Sequence, residues 1–199
     1  MSEPLRAAAV ALALLAGLAP RADAVFTYAP TSSAAYGITL QVGSVAAIDE
    51  VVFNATGTNA GLATGTALAG SQQITIRVSP ARPARLLVEN RPVTLTATVP
   101  IGLTCTTASS CGANVIPFSD ISWTSTDRTN PTQGDIQNGS FVNGATQTLA
   151  SFDGATATVL LVNGDTRFMA NTLSFQYANT TVYPAGSYSG TVSFTATML

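Results

Sequence analysis

The sequence contains no histidine and no lysine, so all eight of its basic residues are arginine. Without histidine, Ser–His–acid and Cys–His catalysis are excluded, and without lysine, Ser–Lys chemistry and Schiff-base formation are excluded. No phosphate-binding glycine loop and no dinucleotide fingerprint is present. Glycoside hydrolysis needs two carboxylates, but most acidic residues stand at predicted turns. The sequence predicts a protein that is not an enzyme and that needs no cofactor.

Charge of either sign is scarce. Charged residues make up 9% of the chain, against about 25% in an ordinary soluble protein. Ser, Thr, Asn and Gln must therefore supply most of the polar surface. So few basic residues argue against a surface that binds the phosphate backbone of a nucleic acid, and we expect no nucleic-acid partner. A surface with little charge suits copies of one protein that pack together.

There are two cysteines, Cys105 and Cys111. An even count in an exported chain predicts a disulfide. A metal site is disfavoured because the chain has no histidine and no third cysteine. The closed loop is short, so the expected stabilisation is modest, about 2 kcal/mol on the loop-closure model.

Other candidate ligand-binding residues are better explained structurally. Asp120, Asp127, Asn130 and Asp135 lie close in sequence, but their spacing matches no defined calcium loop, which favours solvated loops over a Ca²⁺ site. Trp123 alternates with Ile121 and is predicted to be a core residue rather than a sugar-stacking platform.

The first residues resemble a secretory signal peptide. Arg6 precedes an apolar run at 7–19, and Ala22-Asp23-Ala24 supplies small residues before Val25. The run is shorter than the roughly 20 residues that span a bilayer. We therefore expect removal of residues 1–24 and a single domain at 25–199, without a transmembrane segment in the mature chain. The expected location is the periplasm, the cell surface or an extracellular fibre.

Alternation of apolar and polar residues recurs through the chain, which is the pattern of half-buried β-strands. Predicted strands lie at 36–42, 74–78, 93–99, 121–125, 146–152, 155–162, 173–177 and 188–198, with shorter apolar runs at 51–53 and 86–88. About nine or ten short strands, spaced by turn residues, predict an all-β sandwich or a small barrel, and we favour the sandwich. Asn163-Gly164 and Asp153-Gly154 are predicted hairpin turns, and Asn143-Gly144 is a further turn signal.

The alternation is longest at 188–198. The predicted strand-pairing residues on its apolar face are Tyr188, Val192, Phe194, Ala196 and Met198. Together with the preceding Tyr183-Pro184-Ala185-Gly186 turn, residues 183–196 resemble the closing strand of chaperone–usher fimbrial subunits. The resemblance is to the archaic group, which includes spore-coat-protein-U-like domains.

This resemblance implies an immunoglobulin-like β-sandwich that assembles by β-strand addition. The implied partners are other copies of the chain or related subunits, a periplasmic chaperone and an outer-membrane usher. The donor strand would come from the mature N-terminal region, 25–42. The candidate donor segment is Tyr36, Ile38, Leu40 and Val42, which alternate as required, whereas 25–28 is shorter.

An alternative function stays open at this point. The same pattern is typical of a self-contained carbohydrate-binding or matrix β-sandwich module. The loop closed by Cys105 and Cys111 is much smaller than the link between distant strands that is usual in fimbrial subunits.

Overall fold

A computed structural model describes residues 36–44, 49–56, 66–81, 90–129, 134–155 and 167–199. Within them lie a one-turn helix α1 (Ala108–Cys111), a 3-10 helix (Phe118–Asp120) and eleven strands. The strands are β1 (Gly37–Val42), β2 (Leu68–Ala81), β3 (Arg91–Thr98), β4 (Gly102–Cys105), β5 (Val115–Pro117), β6 (Ile121–Thr126), β7 (Gly139–Ser140), β8 (Thr146–Ala155), β9 (Met169–Tyr177), β10 (Tyr188–Ser189) and β11 (Ser193–Met198). The predicted signal peptide, the 86–88 run, the Asn163-Gly164 turn and the predicted strand beyond residue 155 lie outside the described residues.

The strands form two antiparallel layers. One layer is a five-stranded sheet in the order β1-β2-β9-β6-β7. The other contains the sheet β11-β3-β8, which the sheet β10-β4-β5 extends because β3 leads into β4 and β10 leads towards β11. The predicted all-β sandwich of antiparallel strands is therefore the observed fold class.

The inward residues of the alternating strands form one core between the layers. Ile76 and Leu173 come from the five-stranded sheet, and Val93 and Leu95 come from β3. Each is almost fully buried, and burying a side chain of this kind contributes about 1.5–3 kcal/mol. Trp123 also lies in this core, as predicted, with its indole N–H donating to the Gln137 carbonyl at 2.7 Å.

The prediction of a hairpin turn at Asp153-Gly154 is wrong. β8 continues through both residues, because Asp153 pairs with Pro92 and Ala155 pairs with Arg91. Gly154 is the extra residue of a β-bulge. A Cβ atom there would come within 2.4 Å of Val93 Cγ2, so the glycine permits close packing in place of a turn. The Asn143-Gly144 turn signal is confirmed, since the Ala145 N–H donates to the Val142 carbonyl and Gly144 has a φ of 62°.

The predicted strand 188–198 is interrupted. β10 and β11 are separated by Gly190–Val192, opposite the break between β3 and β4 at Pro100. Proline has no N–H to donate to a ladder. Gly190 lets the backbone approach the core, since a Cβ atom there would lie 2.8 Å from both Leu103 and Phe118.

Candidate strand-addition edge

At the outer edge of β11, backbone groups have no strand partner among the residues that the structure describes. The Leu199 N–H donates to the Pro92 carbonyl in the same register that pairs Thr197 with Thr94 and Thr195 with Thr96. In an antiparallel ladder, alternate residues direct both N–H and C=O to the neighbour. The intervening residues Phe194, Ala196 and Met198 therefore direct theirs away from β3. Among the described residues, no strand pairs with this outer edge.

The side chains of the same residues face the core. Phe194 lies opposite Ala97, Ala196 opposite Leu95 and Met198 opposite Val93. Phe194 and Ala196 are half-buried and pack against the core, as does Val192, while Met198 is buried. Ser193, Thr195 and Thr197 are exposed on the outer face. The edge thus combines unpaired amides with an incompletely covered apolar face.

The neighbouring edge belongs to β1. The Gly43 N–H donates to Thr75 in the register that pairs Gln41 with Arg77, so Ile38, Leu40 and Val42 direct their backbone groups away from β2. β1 and β11, an edge strand of each layer, lie close to each other, yet no backbone hydrogen bond joins these two described strands. The Arg91 guanidinium lies 4.8 Å above the Tyr36 ring, so β1 begins at the end of the sandwich where β11 finishes.

The structure places the candidate donor segment inside its own domain. Tyr36, Ile38 and Leu40 are buried in the core, Val42 packs against that core, and β1 pairs with β2 of the same chain over all six residues. Acting as a donor to another copy would require this strand to leave its own sheet.

The predicted strand-pairing residues fall in two strands. Phe194, Ala196 and Met198 lie in β11, whereas Tyr188 lies in β10 opposite Cys105. Val192 lies between the two strands with its side chain against the core. The predicted Cys105–Cys111 disulfide is present.

Other long edges of the sandwich are partly covered. The outer side of β8 receives contacts from Gly134, whose carbonyl accepts from the Ser151 N–H at 2.9 Å, and from Arg167, whose N–H donates to the Gly154 carbonyl. At the opposite side of the other layer, β7 has two residues. Covered or short edges resist pairing with other chains, which singles out the β1–β11 side.

The carboxylates considered for calcium do not converge. Within the described residues, no group of three or more Asp, Glu, Cys or His side chains could hold a metal ion. Asp120 instead lies near two tyrosines that sequence reasoning did not bring together, namely Tyr177 and Tyr183. Burial raises the pKa of the Asp120 carboxyl above its ordinary value. Burial also raises the pKa of Tyr183, and the Asp120 charge adds to that rise.

Comparison of the chain with protein-family models, curated proteins and solved structures finds no match in any of the three. In the part of the chain that the structure describes, no helix is long and apolar enough to cross a membrane.

Proposed function

We propose that this protein is an exported, fimbria-like fibre subunit that assembles by β-strand addition. The outer edge of β11 carries the proposal. There, Phe194 and Ala196 direct their backbone N–H and C=O groups away from β3, and their apolar side chains are half-buried. An added strand gains main-chain hydrogen bonds for affinity and side-chain pockets for specificity. The likeness of residues 183–196 to fimbrial closing strands supports the same function.

The added strand comes from a second copy or a related subunit. Since β1 is part of its own sheet, the donor is assigned to residues 25–35, which precede it. Phe26 and Tyr28 share one face of an extended strand and suit the apolar side of the edge. Eleven extended residues span about 36 Å, more than the roughly 20 Å length of a six-residue strand such as β11. An extended donor of this length is long enough to cover the β11 edge of a neighbouring subunit.

Export and assembly partners belong to the same proposal. The signal-peptide pattern delivers the chain to the periplasm, where a chaperone covers the open edge until an outer-membrane usher passes the subunit to a fibre. A low surface charge leaves little repulsion between copies, as a fibre requires.

The test removes one backbone N–H that faces the outer edge of β11. Ala196→Pro deletes an N–H that faces the open edge and leaves the β3 ladder intact, whereas the control Thr195→Pro deletes an N–H that faces β3. The mature chain is mixed with a synthetic peptide of residues 25–35, and binding is followed by fluorescence anisotropy and assembly by electron microscopy. We expect Ala196→Pro to fold but to lose binding and assembly, and Thr195→Pro to be destabilised. Wild-type protein that neither binds the peptide nor assembles would refute the proposal.

A self-contained carbohydrate-binding module is the second candidate. It is favoured by the half-exposed rings of Tyr183 and Tyr188, whose centroids lie 6.2 Å apart, with Asp120 near Tyr183. Trp123 and Phe175 are buried and are not available for a saccharide. A glycan array, with Tyr183→Ala as the matched variant, tests it. Binding that this variant abolishes supports the second candidate, and an empty array removes it.

A further inference from the structure

The disulfide lies against the segment that leads into the open edge. Cys105 ends β4 and Cys111 lies in α1, and neither belongs to the main core cluster. Cys111 is nevertheless 1% exposed. Gly186 and Ser187 cover part of it. They belong to residues 183–189, here called the entry segment, which contains β10 and continues through Gly190–Val192 into β11.

Contacts between the disulfide loop and the entry segment are close and specific. A Cβ atom on Gly186 would lie 2.5 Å from the Cys111 sulfur, so the backbone of the segment rests directly on the disulfide. The Ser187 carbonyl accepts the Thr106 N–H at 2.8 Å and the Thr106 hydroxyl at 3.0 Å. It also lies 3.7 Å from the Cys111 sulfur.

Among the described residues, few backbone pairs hold the entry segment to the sandwich, although the Tyr183 and Tyr188 rings lie near Tyr177. β10 has two residues, and its pairing partner is β4 through Tyr188↔Cys105 and Ser189↔Thr104. One of those two pairs therefore includes a disulfide cysteine. β11, by contrast, is held along its full length by β3.

We propose that the Cys105–Cys111 disulfide is a redox latch for the entry segment. When the disulfide is closed, the entry segment lies along β4, and the N-terminal end of the β11 edge, which follows that segment, is ordered. A dithiol reductant opens it by exchange, giving two protein thiols and one reductant disulfide. The loop of 105–111 then loses its closure, α1 no longer supports Gly186 and Ser187, and the entry segment detaches. The sandwich core stays folded because the disulfide lies outside it.

Limited proteolysis tests the latch directly. Chymotrypsin cuts after Tyr188, inside the segment, and cleavage of a locally opened site follows the population of the open form. On treatment with dithiothreitol followed by alkylation, or in the Cys105→Ser/Cys111→Ser variant, we expect cleavage after Tyr188 to accelerate about tenfold or more. The single tryptophan, Trp123, lies in the core and reports whether the sandwich remains native.

A second variant opens the latch without touching the cysteines. In Gly186→Ala the new Cβ atom meets the Cys111 sulfur and forces the segment off an intact disulfide. We expect the same faster cleavage, with Ala185→Ser, an exposed neighbour, as the control. Unchanged cleavage in the reduced protein would overturn the latch. So would loss of native Trp123 emission in step with cleavage, because the disulfide would then hold the whole sandwich.

The functional consequence rests on the proposed strand addition. We expect the reduced protein to bind the 25–35 peptide several-fold more weakly than the oxidised protein, because the N-terminal end of the β11 edge is no longer ordered. If oxidised wild-type protein does not bind the peptide, the proposed function fails while the proteolysis result still decides the latch. Equal binding by both redox forms, together with faster cleavage, would overturn the link between latch and edge.

Discussion

At the scale of single residues, Tyr177 at the end of β9 makes the stability of this protein sensitive to alkaline pH. The residue is 7% exposed, and burial, with a smaller contribution from the Asp120 charge, raises the pKa of its phenol from 10.0 to about 12. The folded state therefore holds this proton more tightly than the unfolded state does. Tyr177 therefore increases the free energy of unfolding below pH 10, and this contribution is lost as the pH rises from 10 to about 12.

Tyrosinate absorbance and urea unfolding, both followed across this pH range, check the prediction. We expect Tyr177 to ionise later than the exposed tyrosines, and a fall in unfolding free energy that Tyr177→Phe largely removes. An identical pH slope in wild type and Tyr177→Phe would contradict it.

Gly134 makes a second prediction at this scale. Its φ is 93°, and a Cβ atom there would lie 1.7 Å from the Ser151 carbonyl oxygen. The Gly134 carbonyl also accepts the Ser151 N–H. Gly134→Ala is therefore expected to lower the free energy of unfolding by about 3 kcal/mol, from backbone strain together with the lost contact.

The matched control is Gly144→Ala. Its φ is also positive, at 62°, but the nearest atom to its Cβ position is a flexible side-chain carbon of Ile101 at 3.4 Å. Only the backbone strain remains there, about 1 kcal/mol. Urea unfolding of both variants gives the comparison, and equal losses would show that the close approach to Ser151 has no energetic weight.

At the scale of secondary-structure elements, the alternation of apolar and polar residues predicted where the strands lie but not which strands pair with each other. The period of two identified β1, β3, β6 and β9, because it reports which side chains face a core. It does not report which backbone edge is paired. The open edges of β1 and β11 therefore could not be predicted, since they depend on pairings between residues far apart in sequence.

Turn chemistry failed where tertiary packing decided the outcome. Asp153-Gly154 has the composition of a hairpin turn, yet the pairing with Arg91 and Pro92 carries β8 through it. The same limit applies to Gly190 and Pro100, whose joint interruption of the second layer follows from their alignment in adjacent strands. The short-range disulfide, which needs no such information, was predictable from composition.

A buried polar pair links two strands of the first layer. Asn171 in β9 is fully buried and donates to the Ser125 hydroxyl at 3.0 Å. Removing one partner leaves a buried polar group unsatisfied, so we expect Asn171→Ala to cost about 1–3 kcal/mol of unfolding free energy. A double-mutant cycle with Ser125→Ala checks this, and the expected coupling is about 1 kcal/mol. Strictly additive single and double variants would show that the two side chains do not interact.

At the scale of the whole molecule, the scarcity of charge predicts that the proposed assembly depends little on salt. Charged residues are 9% of the chain and its formal net charge is −2. Assembly through backbone hydrogen bonds and apolar contact then gains little from screening. We expect the assembly rate to change less than about twofold between 0.01 and 1 M salt, measured by light scattering.

A charged variant supplies the contrast. Thr195 and Thr197 are exposed on the outer face of β11, so Thr195→Asp/Thr197→Asp adds two negative charges to every copy without altering the core. Repulsion between copies should slow assembly of this variant at low salt, and screening should restore it at high salt. Two results would mean that contacts other than the β11 edge bring the subunits together. One is a wild-type assembly rate that rises strongly with salt, and the other is an assembly rate of the charged variant that does not change with salt.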